Sequence, residues 1–84
     1  MDFLEQIGLA IQRMRRLKAL SQEKVAHDAE IDQAYLSRIE AGRSDIGLHM
    51  LLKISQALGV HPSEILKDAK LDGPTTGEDT PPSR

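Results

Sequence analysis

Apolar residues recur at helical spacing from the start of the chain. Phe3, Leu4, Ile7, Ile11 and Met14 form one stripe along a helix predicted over residues 2–18, with polar residues around the rest. Leu9 falls on the opposite side. Asp2, three residues before Glu5, supplies a capping box with Asp in the Ser/Thr role. The pattern then breaks and restarts. Ser21 is a good N-cap, and Gln22 to Ala29 contain no Gly or Pro. Glu30 and Ile31 interrupt the run, and Asp32 offers a second cap. Another helix is predicted from Gln33 to about Ala41, stopped by Gly42, a residue suited to the left-handed C′ position. Gly47 precedes a fourth helix, Leu48 to Leu58, expected to bury Leu48, Leu51, Leu52 and Leu58, with Ser55 on the same face and Gly59 ending it. His61-Pro62 opens a fifth, with Ile65 and Leu66 facing inward. The chain therefore reads as all-α, with five helices.

The second and third helices are short and joined by a few residues, which is the pattern of a helix-turn-helix unit. At about 100° per residue the third helix has two unlike faces. Leu36 and Ile39 point one way, with the aliphatic part of Glu40 nearby. Ala34, Ser37, Arg38 and Ala41 point the other way, with Gln33 at the start. Gln, Ser and Arg can read base edges in a major groove, and Ala can meet a thymine methyl. An ordinary solvated helix face has the same polarity, so the face alone leaves both readings open.

Composition narrows the choice. Eighty-four residues make one small domain, and with no cysteine neither a disulfide nor a thiolate metal site can staple it. Phe3 and Tyr35 are the only aromatics, so the core must be aliphatic. There is no run of about 18 apolar residues and no signal-peptide pattern, so a cytoplasmic protein with no membrane contact is expected. His27, His49 and His61 have no carboxylate at metal or triad spacing, and no glycine-rich phosphate loop exists. An enzyme, a metal and a cofactor are therefore not expected. Beyond about Asp68 the composition changes: the last stretch, LDGPTTGEDTPPSR, holds three of the four prolines and one apolar residue, Leu71. Nothing there repays the entropy of ordering. The expected division is a folded domain over residues 1–67 and a flexible tail over 68–84.

The net charge of −2 runs against the basic footprint usual for a nucleic-acid binder. Its distribution matters more, and Arg13, Arg16, Lys18, Arg38 and Arg43 are expected to line one side.

The segments SQEKVA, IDQAYLSRIEAGRSD, LLKISQALGV and HPSEIL resemble the phage repressor and Cro type (XRE-like) of helix-turn-helix protein, in register over about residues 7–66. The matching positions are Arg15, Ser21-Gln22, Ala26, Ile31, Ser37, Glu40-x-Gly42 and Leu58-Gly59-Val60. The resemblance implies a compact five-helix lambda-repressor-like domain that binds double-stranded operator DNA with its third helix, usually as a homodimer. On such a helix the side-chain chemistry makes Gln33 and Arg38 the expected base contacts, with Ser37 and Ala34 filling the groove between them. Phosphate contacts are implied for Gln22, Tyr35 and Arg43; a half-buried core aromatic and a solvated loop arginine are the plainer readings of the last two. The resemblance also implies a partly buried Arg15–Glu40 pair tying the first helix to the third. Ala19 and Glu30 depart from the pattern, standing where the family commonly has Gly or Asn at a tight turn. For a dimer, Leu9 and Met50, which point away from their helices' core stripes, and Ile46, Val60 and Leu71 offer candidate apolar surface, with the C-terminal half the preferred interface. The alternative is an antitoxin or interaction module whose main partner is another protein. In size the chain resembles regulators such as the controller proteins of restriction–modification systems.

Overall fold

In the computed structural model, which describes residues 2–69, helix α1 (Phe3–Leu17) starts on the expected capping box. The Asp2 carboxylate accepts from the Glu5 N–H at 2.8 Å, and the Glu5 carboxylate accepts from the Asp2 N–H at 3.1 Å. Helices α2 (Gln22–Ala29), α3 (Gln33–Glu40), α4 (Leu48–Leu58) and α5 (Pro62–Asp68) follow, with no strand among the described residues. The Ser21 hydroxyl caps α2 by accepting from the Lys24 N–H at 3.0 Å. His61 caps α5, its Nδ1 accepting from the Ser63 N–H at 3.1 Å, with Pro62 in the first turn, where the missing N–H costs no bond.

Four helices end the same way. After α1, α2, α3 and α4 a residue turns into the left-handed region: Ala19 (φ 57°), Glu30 (φ 62°), Gly42 (φ 75°) and Gly59 (φ 75°). The following N–H reaches back five residues each time: Leu20 to the Arg15 carbonyl, Ile31 to Ala26, Arg43 to Arg38 and Val60 to Ser55, all at 2.9–3.0 Å. This is the Schellman closure, which satisfies carbonyls the helix leaves open. The expected departures at Ala19 and Glu30 thus keep the family turn and carry the strain of a side chain at positive φ, about 1–2 kcal/mol each.

α1 packs on α3 and α5, α2 on α3 and α4, and α4 on α5. The core is aliphatic, as composition requires. Ile11, Val25, Leu36, Ile54 and Ile65 are fully buried at its centre, and each such side chain stabilises by about 1.5–3 kcal/mol relative to exposure. Within α4 the Ser55 hydroxyl is buried and donates to the Leu51 carbonyl at 2.7 Å, so its polarity is satisfied inside its own helix.

The apolar stripes are narrower than the sequence pattern suggests. Phe3 is 56% exposed, Leu48 84%, Leu52 43% and Leu66 38%, although all four were expected in the core. In α4 the buried line is Leu51, Ile54, Ser55 and Leu58. Leu48 and Leu52 sit one flank away and remain exposed. Conversely, Ile46, Met50 and Val60 pack against the core rather than standing spare, and Leu9 is half-buried. Leu71 and nearly all of the expected tail lie outside the described residues. The folded unit passes the expected boundary at residue 67, because Asp68 completes α5 and Ala69 is buried in the core.

Candidate nucleic-acid interface

The two faces of α3 separate as the periodicity requires. Leu36, Ile39 and Glu40 are buried, while Gln33, Ala34, Ser37, Arg38 and Ala41 are exposed in one patch. Asp32 is the N-cap, but its side chain makes no capping bond. Its backbone carbonyl instead accepts from the Tyr35 and Leu36 N–H groups, both at 3.1 Å. The first turn of α3 therefore has no carboxylate bonded across it.

What holds that patch in place is a buried polar network at the far end of the helix. The Arg15 guanidinium of α1 donates twice to Glu40, Nε to Oε2 at 2.7 Å and Nη2 to Oε1 at 3.0 Å. Its remaining Nη1 donates to the Leu20 carbonyl at 2.9 Å. Gln22 Nε2 also donates to Glu40 Oε1, at 3.0 Å. The expected Arg15–Glu40 pair thus exists with bidentate geometry, its side chains only 10% and 2% exposed. Desolvation makes such a pair expensive to form and costlier to break. The Gln22 amide faces Glu40, joining the start of α2 to the end of α3, while its N–H lies in the first turn of α2.

Two glycines let α1 approach α3 this closely. A Cβ on Gly8 would lie 2.2 Å from the Ile39 carbonyl oxygen, and one on Gly42 would lie 2.7 Å from the Glu5 Cα. Sequence reasoning missed Gly8. The available signal was a glycine inside an otherwise regular helical stripe, which marks either weakness or close backbone approach.

Tyr35 is half-buried against the core, and the Arg38 guanidinium lies over its ring, 5.6 Å from the centroid. Arg43 is exposed beyond Gly42, and its N–H closes the α3 turn on the Arg38 carbonyl. Arg16 and Lys18 are exposed, but Arg13 is drawn elsewhere. Its Nε and Nη2 donate to Asp68 Oδ2 at 3.0 and 2.8 Å, and Nη2 also reaches the Asp68 carbonyl at 2.9 Å. Arg13 therefore fastens α1 to α5 and leaves the expected basic row. Several carboxylates have local cations: Glu30 meets Lys53 at 3.4 Å and Asp28 meets Lys24 at 3.1 Å. The hydrogen bonds from Lys24 and then His27 hold the Asp28 carboxyl below its ordinary value. Among the described residues no three His, Cys, Asp or Glu side chains group as metal ligands, and no helix is long and apolar enough to cross a membrane.

A helix-turn-helix family model matches residues 11–65, which spans the whole of α2 to α4 and about half of the flanking helices. The control protein C.BamHI of Bacillus amyloliquefaciens is 38% identical over 60 residues, covering 70% of this chain and 74% of its own. The control protein C.MunI of a Mycoplasma species is 37% identical over 68 residues, covering 80% and 92%. Among solved structures, the restriction–modification controller protein C.AhdI of Aeromonas hydrophila superposes with a TM-score of 0.72 at 32% identity, covering 74% of this chain and 94% of its own. The clp gene regulator ClgR of Corynebacterium glutamicum superposes with a TM-score of 0.79 at 27% identity, covering 82% and 91%. With the motif, the five-helix fold and these matches in agreement, the chain belongs to the phage repressor and Cro type of helix-turn-helix family, whose members are DNA-binding transcriptional regulators.

Proposed function

We propose that this protein is a transcriptional regulator that reads double-stranded operator DNA with α3 in the major groove, acting as a homodimer. The observation that carries the reading is the exposed patch of Gln33, Ala34, Ser37 and Arg38 on a helix whose opposite face is fixed by a buried ion pair. In this reading Arg38 takes a guanine O6/N7 edge and Gln33 an adenine N6/N7 edge, each worth about 1–3 kcal/mol of discrimination. Ala34 and Ser37 fill the groove between them. Gln22, through its first-turn N–H, and Tyr35 and Arg43, at the flanks, meet phosphate.

One eight-residue helix reads few base pairs, and a net charge of −2 adds little phosphate attraction. Two copies related by a two-fold axis would place their helices about 34 Å apart and read a palindrome twice. The exposed Leu48, Leu52 and Leu66 of α4 and α5 support a dimer contact in the C-terminal half, away from α3's reading face. The control-protein relatives support a regulatory role exercised by binding rather than catalysis, in the cytoplasm.

Selection of bound duplexes from a random pool should return a palindromic site. Arg38→Ala should then flatten the preference at one base position in each half. Equal loss of affinity on every sequence would move Arg38 to the phosphates. Sedimentation equilibrium should give a mass near twice 9.3 kDa, and a monomer that binds isolated half-sites would remove the dimer.

A further inference from the structure

The Arg38 guanidinium sits 5.6 Å from the centre of the Tyr35 ring, one helical turn back on the same helix. Residues three apart on a helix are neighbours, and a guanidinium within about 6 Å of a ring centroid is attracted by its π face. Three further facts bear on this contact. Tyr35 is half-buried and packed against the core, which restricts the swing of its ring. Arg38 forms no ion pair with any carboxylate among the described residues, so nothing there competes with the ring for it. The helix itself is anchored through Glu40, so the ring's position is fixed relative to the whole motif.

A free arginine on a helix surface samples many rotamers and must be ordered before it can make two parallel hydrogen bonds to a guanine. Resting the guanidinium on a fixed aromatic face removes part of that ordering cost. We propose that Tyr35 is a positioning residue for base readout: its ring, set by the core, holds the Arg38 guanidinium in the groove-facing pose, so that preference at the Arg38 base position depends on the π face of residue 35. This rests on the proposed reading of DNA by α3. It assigns the ring a role separate from any phosphate contact of the phenol hydroxyl.

The test measures binding to the selected duplex and to its single-base variants, with thermal melting of every protein as a control for folding. Tyr35→Phe keeps the ring and loses the hydroxyl, and should retain the wild-type preference at the Arg38 position even if affinity falls evenly on all duplexes. Tyr35→Leu keeps apolar burial without a π face, and should lower that preference by about 2- to 5-fold, the range for an exposed cation–π contact. Pentafluorophenylalanine incorporated at position 35 keeps the ring shape and reverses its electrostatics. It should behave as Tyr35→Leu does, with melting close to Tyr35→Phe. In an Arg38→Ala background, Tyr35→Leu should leave the preference at that position unchanged. The proposal is overturned if the leucine and fluorinated variants keep the preference while affinity drops uniformly. An Arg38→Ala protein with undiminished preference at every position would instead remove the base-reading role itself, and the positioning role with it.

Discussion

The same two devices, a glycine-closed helix end and an arginine–carboxylate pair, occur twice in this domain. At the end of α3 they are Gly42 and Arg15–Glu40; at the α4 and α5 ends they are Gly59 and Arg13–Asp68. Locally the two sets are alike. Both glycines have φ 75°, and both arginines donate at least twice to their partner residue. Their surroundings differ. A Cβ on Gly42 meets the Glu5 backbone at 2.7 Å, whereas one on Gly59 meets nothing within 4 Å. Glu40's side chain is 2% exposed and Asp68's 35%. Both pairs tie α1 to another helix, but the one at the α3 end is buried and its glycine is crowded, while its twin stays open to water. The α3 end is where the proposed reading helix is held.

The sharpest contrast should come from the carboxylates. Glu40→Ala leaves Arg15 buried without its partner and should cost about 3–5 kcal/mol in urea unfolding. Replacing both members with apolar residues, Arg15→Met with Glu40→Leu, should recover most of that loss, since the pair's own desolvation cost disappears. If Glu40→Ala costs no more than a surface substitution, the buried network is not what holds α3. The glycines come next. Gly42→Ala adds backbone overlap to left-handed strain and should cost about 2–4 kcal/mol. Gly59→Ala should cost only about 1 kcal/mol, the strain alone. Equal melting temperatures for these two variants would erase the distinction.

Asp68→Asn should lose about 0.5–1 kcal/mol, shrinking further at high salt, as expected for a pair open to water. Smallest is a gain. Ala19 occupies the same left-handed turn and is exposed, and Ala19→Gly should stabilise by under about 1 kcal/mol, relief of strain being offset by greater freedom in the unfolded chain. A loss of stability on Ala19→Gly would mean that its methyl group packs usefully at the turn.

The order of the elements was legible because local physics sets it. The Asp2–Glu5 box, the Ser21 cap, the αL closure at Gly42 and Gly59 and the Pro62 start all depend on residues within one turn of each other. The two faces of α3 were legible for a related reason: Leu36 and Ile39 are three residues apart, and any core must bury them together. The Arg15–Glu40 pair was reached through family resemblance, since 25 residues of sequence separate its members and no local signal joins them. Asp32 shows the limit of cap rules, because residue type favours a cap bond but side-chain orientation decides whether it forms.

Only the tertiary structure decided which edge of each apolar stripe is covered. A helix with leucines at positions 48, 51, 52 and 58 has a broad apolar arc, and the neighbours' placement left Leu48 and Leu52 exposed while burying Leu51 and Leu58. Long-range partners were likewise invisible: Arg13 and Asp68 are 55 residues apart, and Gln22 and Glu40 are 18 apart. Gly8 is the clearest case. Its lack of a side chain is a weakness in helix α1 taken alone, and a requirement once the α3 backbone lies within contact of it. Periodicity and capping are interactions of a chain with its near neighbours, so one sequence carries most of their signal. Close approach, burial and pairing across the fold depend on where other helices come to rest.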